Sequence, residues 1–242
     1  MDQETKACMD NILQMSAPKQ NQENTTISPP LWQRPSEEEI QKRVEAKVCK
    51  IHSDLIPFRL LSAEIKKCEV VFNRFESLFI TGPAGTGKSY MASAILKEEG
   101  RWRVRDRLNQ LYEGKEKYGE MYELPRGVGT TINWVTVPNL LLELRGSFKD
   151  KSESTEQEIV HNYSEVDMLV LDDLGAEKSS EFSIQSLYLI IDRRYSEMRH
   201  TIITSNLSLR EVSEKVGDRI ASRIAGMCKV IELKGKDRRL IR

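Results

Sequence analysis

At 242 residues the chain is long enough for one substantial domain with a short additional segment, because a single core grows efficiently over this range. Thirty-seven basic residues balance thirty-seven acidic ones, which excludes a global field drawing the protein onto nucleic acid or an anionic membrane and leaves any such contact to local clusters. Four scattered cysteines (Cys8, Cys49, Cys68, Cys228) with no C-x-x-C pair argue against structural zinc or a disulfide framework. The absence of an apolar run near the roughly 20 residues of a membrane span, and of a signal-peptide pattern, points to no membrane and a cytoplasmic setting.

In chain order, Met9, Ile12 and Leu13 make one apolar stripe at helical spacing, so residues 1–15 read either as a partner-docking helix or as a frayed terminus. Residues 16–36, polar and proline-bearing, read as a flexible linker. Ser36 and Glu39 form a capping-box signature, and Ile40, Val44, Val48 and Ile51 continue a stripe, so 37–54 is expected to be a helical connector packed on the main domain. That domain is expected to fill 55–242. It opens with a helical stretch near 61–74, a strand at 77–81, a glycine-rich loop and a helix to about Glu99. Further strands are expected at 131–137, 168–172, 201–205 and 229–233 with helices between them. Short apolar strands alternating with helices indicate a parallel sheet covered on both faces. Residues 100–127 interrupt the rhythm as a charged, aromatic insertion. In it Arg101, Arg103, Arg105 and Arg107 interleave with Trp102 and Tyr112, a composition that suits either single-stranded nucleic acid or a solvated amphipathic segment.

The loop "GPAGTGKSY" fits G-x-x-x-x-G-K-[ST] between a strand and a helix, the context that makes such a motif a triphosphate site. Gly82, Gly85 and Gly87 let backbone N–H groups face the phosphates, and Pro83 and Ala84 stiffen the loop, which continues through Thr86 and Tyr90. Lys88 would reach the outer phosphates and Ser89 would offer its hydroxyl to Mg2+, making ATP and Mg2+ the expected cofactors. "MLVLDDLGAE" supplies the acidic strand end. Asp172 is expected to hold the metal and Asp173 to activate water, with Glu177 as a more distant substitute. In "TIITSN", Asn206 leaves the sheet at the same edge and could polarise that water, though asparagine is also common in turns.

Together "GPAGTGKS", "MLVLDDLGAE", "TIITSNLS", "GDRIASRI" and "GKDRR" resemble, in order and approximate spacing over residues 55–242, the AAA+ ATPases of the DnaC/IstB type, which include helicase loaders and transposition helpers. The resemblance implies an α/β P-loop NTPase of three α/β/α layers. Its five-stranded parallel sheet would have the order 5-1-4-3-2, with ATP at subunit boundaries and little or no C-terminal lid domain. It casts Asn206 as the sensor 1 residue, Arg223 as an arginine finger completing a neighbour's site, and Arg239 as the sensor 2 arginine. It also makes "VPNLLLELRGSFKD" a DNA-touching segment, with Phe148 stacking on bases and Arg145 and Lys149 on phosphates, while Leu140, Leu141, Leu142 and Leu144 read as core and Phe148 reads alternatively as core too. Asp173 stands where many members have glutamate, a carboxylate one methylene shorter.

The expectation is therefore an ATPase, weak as a monomer, that assembles with ATP, binds single-stranded DNA and loads a DnaB-type replicative helicase. An IstB-like transposition helper is the near alternative. A small P-loop kinase and a non-hydrolysing nucleotide-dependent adaptor are more distant ones.

Overall fold

A computed structural model describes residues 33–64, 73, 76–118, 123, 131–147, 155–176 and 181–239. By spatial contact the chain divides into two compact units, one from the described residues up to Ser62 and those between Lys97 and Thr130, the other from Ala63–Leu96 and Thr131 onward. The readings placed on residues 1–15, most of the linker, Phe148, Lys149 and Glu177 lie outside the described residues.

The first unit is built on helix α1 (Glu37–Leu55) and the distal part of helix α2 (Lys88–Tyr118). The Ser36 hydroxyl accepts from the Glu39 amide at 3.3 Å while the Glu39 carboxylate accepts from the Ser36 amide at 3.0 Å, completing the expected capping box. Three glutamates in the first turn complement the helix dipole, and α1 ends where Ile56 turns extended ahead of Pro57. Its buried stripe, Ile40, Val44 and Val48, packs against Val104 and Tyr112 of α2, with Ile51, Leu108 and Leu111 at the edge. Helix α2 thus runs far beyond Glu99 instead of giving way to an irregular insertion, because Val104, Leu108, Leu111 and Tyr112 recur at helical spacing and have a stripe to bury against.

In the second unit five strands, β1 (Leu78–Thr81), β2 (Ile132–Thr136), β3 (Met168–Leu174), β4 (His200–Ser205) and β5 (Lys229–Glu232), form one parallel sheet in the order β2-β3-β4-β1-β5. This is the expected order read from the opposite edge. Every residue of β1 and β4 is buried, as both-face coverage by helices requires. The covering helices are the proximal part of α2, α3 (Val137–Gly146), α4 (Glu156–Glu165), α5 (Glu181–Ser196), α6 (Leu209–Val216) and α7 (Asp218–Met227). Thr136 caps α3 with Pro138 in its first turn, and capping boxes open α4 (Thr155, Glu158) and α6 (Ser208, Glu211). Leu140, Leu141 and Leu144 are core, but Leu142 is 61% exposed, since the helical period that buries its neighbours turns position 142 outward. Arg194 is fully buried, donating to the carbonyls of Tyr163, Ser164, Val166 and His200. Desolvation there lowers its pKa to about 9.

Candidate active site

The parallel arrangement delivers the carboxyl ends of β1, β3 and β4 to one edge of the sheet, where functional side chains of such folds collect. The chain leaves β1 through a loop with positive φ at Gly82 (144°), Gly85 (75°) and Gly87 (100°), a backbone course that side chains with a Cβ rarely adopt. Space weighs against a Cβ as well: at Gly82 it would strike the Leu233 backbone carbonyl oxygen, and at Gly85 it would displace the Asp237 carboxylate. The Lys88 ammonium, on a side chain nearly out of solvent, donates to the Gly82 and Pro83 carbonyls at 2.8 Å each. Burial lowers its pKa from the ordinary lysine value, and the charges of Asp173 and Asp172 oppose that shift.

Ser89, in the first turn of α2, donates its hydroxyl to Asp172 Oδ1 at 2.8 Å. Thr204 of β4 donates to the same oxygen at 2.6 Å, and its own oxygen accepts from the Asp173 amide at 2.9 Å. β3 departs from regular register with β4 between Leu171 and Leu174, and Asp173 adopts a positive φ of 66°, which aspartate tolerates better than most residues. Asp172 stays buried against Ser89, while the Asp173 carboxylate accepts from Asn206 Nδ2 at 3.5 Å, the outer limit of a hydrogen bond. A hydroxyl and a carboxylate in contact, with a second carboxylate next in the chain, form the all-oxygen, hard donor set that fits Mg2+ completed by water and phosphate.

The segment after β5 lies along the loop: the Leu233 amide donates to the Thr81 carbonyl at 2.7 Å and the Arg238 amide to the Gly85 carbonyl at 3.0 Å. Asp237 accepts from the Arg239 backbone amide and Nε, both at 2.9 Å, and from its Nη2 at 2.7 Å, which lowers the carboxyl pKa to about 2. Arg239 therefore lies at the phosphate loop, paired with Asp237, and the Asp173 charge contributes to raising its pKa. Arg223 is held elsewhere, on α7, where its Nε donates to Asp192 of α5 at 2.7 Å. Arg145 is exposed at the end of α3. Of the residues singled out in the sequence, the structure thus gathers Lys88, Ser89, Asp172, Asp173, Asn206 and Arg239 at one edge and leaves Arg145 and Arg223 apart. Thr204 and Asp237 are site residues that the sequence reading did not find.

Residues 125–242 match the family described as IstB-like ATP binding protein. Over 166 residues the chain is 29% identical to the replicative helicase loader DnaC of Buchnera aphidicola subsp. Schizaphis graminum, a match covering 69% of this chain and 57% of that protein. With DnaC of Escherichia coli K12 it shares 27% over 148 residues, covering 61% and 49% respectively. Over these residues the chain is thus similar to the IstB-like family and to DnaC. The crystal structure of DnaI shares this AAA+ fold, at a TM-score of 0.54 and 21% identity over 76% of this chain and 94% of that one. The chain spans about half the length of the curated relatives it matches.

Proposed function

We propose that this protein is an ATP-hydrolysing helicase loader: ATP drives its assembly and its grip on single-stranded DNA, and hydrolysis releases a DnaB-type helicase. The observation that carries the ATPase reading is the Ser89–Asp172–Thr204–Asp173–Asn206 chain of hydrogen bonds beside the loop lysine. Relatives named replicative helicase loader support the biological role.

In this reading Lys88 neutralises charge on the outer phosphates, and the bond it gives up to the loop carbonyls passes to phosphate oxygen. Ser89 and Asp172 would hold Mg2+, which offsets charge building on the phosphates. Asp173 takes a proton from a water oriented by Asn206; the water oxygen bonds to the terminal phosphorus as its bond to the bridging oxygen breaks, leaving ADP and phosphate. Arg239 steadies the terminal phosphate. Arg223 completes the site of the neighbouring copy, a contribution of typically about 10³- to 10⁵-fold, so the monomer is a poor ATPase. Adjacent carboxylates, a water-orienting amide and a distant arginine suit hydrolysis better than transfer to a metabolite, which is why a kinase ranks lower.

The experiment is a helicase-loading assay with the cognate DnaB-type helicase, single-stranded DNA and ATP. ATP-dependent helicase capture followed by release on hydrolysis is expected; no capture would remove the loader role and leave the ATPase. The IstB-like match keeps a transposition helper as the second reading. It predicts capture of a transposase in place of the helicase.

A further inference from the structure

Arg223 does not stand free on α7. Its Nε donates to Asp192 Oδ1 at 2.7 Å, its guanidinium carbon lies 5.2 Å from the centre of the Tyr195 ring, and the Tyr188 hydroxyl donates to the same Asp192 oxygen at 3.2 Å. Tyr188, Asp192 and Tyr195 fall at i, i+4 and i+7 on α5, one face of that helix, so a single helical surface furnishes all three contacts. Gly226, one turn beyond Arg223, lets the ring approach: a Cβ there would lie 2.9 Å from Tyr195 Cε2 and push it off.

The bond is made through Nε. The two terminal amino groups, the pair that forks onto phosphate oxygens, lie outside it. A flexible arginine gives up considerable rotamer entropy when it is fixed, and one already fixed gives up less on docking. We infer that Asp192, oriented by Tyr188 and backed by Tyr195, is the positioning residue that pre-aims Arg223 toward the nucleotide of a neighbouring copy. The inference rests on the proposed role of Arg223 in trans and adds a part that role does not require. Tyr195 itself is 38% exposed, and Leu189 (44%) and Met198 (90%) on and just after the same helix are exposed too, so the bracket sits at the surface where a neighbour can reach it.

The test uses complementation between full-length chains. Lys88→Ala disables a copy's own pocket but keeps its Arg223; Arg223→Ala does the reverse. Mixing the two should restore ATP turnover. Absence of any gain would remove the role of Arg223 in trans and the inference with it. Given a gain, Asp192→Asn is placed in one partner at a time. On the Lys88→Ala copy, which donates the arginine, it should lower restored turnover roughly ten- to hundredfold, the usual cost of a misaimed reacting group, and Asp192→Glu should recover part of it. On the Arg223→Ala copy, which has no arginine to aim, it should change the restored rate less than about twofold. Equal losses in both placements would mean that Asp192 only braces α5 against α7. No loss in either would mean that it aims nothing. Both results would overturn the inference while leaving the role of Arg223 standing. Should Asp192→Asn fold poorly, Tyr195→Leu in the same two placements gives the same asymmetry.

Discussion

The paired helices of the first unit and the Lys88–Asp172 centre of the second hold their charges with different kinds of partner. In the helical unit the charges close on one another: Arg101 pairs with Glu45 at 2.9 Å and Glu98 at 2.6 Å, Arg105 with Glu37, and Arg34 lies 3.7 Å from Glu116. At the edge of the sheet unit, Lys88 is held by loop carbonyls and Asp172 by the hydroxyls of Ser89 and Thr204. Neutral partners fix a charged group's position without cancelling its charge, so the field stays available to an incoming phosphate and metal. In the arginine-rich stretch, which reads in the sequence either as a nucleic-acid surface or as a solvated amphipathic segment, Arg101 and Arg105 are thus paired with nearby carboxylates. Tyr112, which composition offered as a stacking platform, is buried and accepts from Arg43 at 2.9 Å.

The largest effect that sharpens this contrast comes from Lys88→Ala. It should cut ATP turnover at least about a thousandfold in a phosphate-release assay while leaving the melting temperature within a few degrees, because the removed charge serves the ligand and not the fold. Next, the paired acids should separate by kinetics. Asp173→Asn lowers kcat roughly a hundredfold or more with nucleotide affinity retained, whereas Asp172→Asn raises the Mg2+ concentration needed for half-maximal nucleotide binding. Identical phenotypes would merge two roles that the geometry keeps apart. In the helical unit, Tyr112→Ala should cost about 3 kcal/mol in urea unfolding by emptying the α1–α2 interface, with the ATP Kd of the folded protein unchanged. A smaller effect attends acid. The folded pKa of Asp237 lies below its unfolded value, so the stability it contributes is present above roughly pH 4 and fades as pH falls toward about 2; a carboxyl NMR titration would show the depressed midpoint, and Arg239→Ala should return it to the ordinary range. Smallest of all, Arg105→Ala should change stability by less than about 1 kcal/mol and leave single-stranded DNA binding as it was, since its pairing is exposed and screened by salt.

What the sequence made legible follows from how local each signal is. The loop at 82–90 announces itself because glycine spacing, lysine and hydroxyl occupy contiguous positions, and Asp172 because an apolar strand ends on it. The sheet order came from the family resemblance, since strand patterns alone carry no neighbour information. Helix α2 was readable in principle: Val104, Leu108, Leu111 and Tyr112 keep helical spacing, but the charges between them and Gly100 obscured it. Thr204 could not be found from its own strand, where it is one β-branched residue in a buried run; only its register against β3 brings its hydroxyl to Asp172. Asp237 was hidden for a related reason, because its meeting with Gly85 spans 152 positions of chain, 85 to 237, and is set by the path after β5.

Thr204 has a single hydroxyl hydrogen, spent on Asp172, and offers its oxygen to the Asp173 amide. Two duties that seem separable by substitution, anchoring a cation and aiming a base, therefore share one hydroxyl. Variation at this position should tolerate serine and reject valine, which has nearly the same shape and lacks the hydroxyl, and the loss should show in metal dependence and in maximal rate at once.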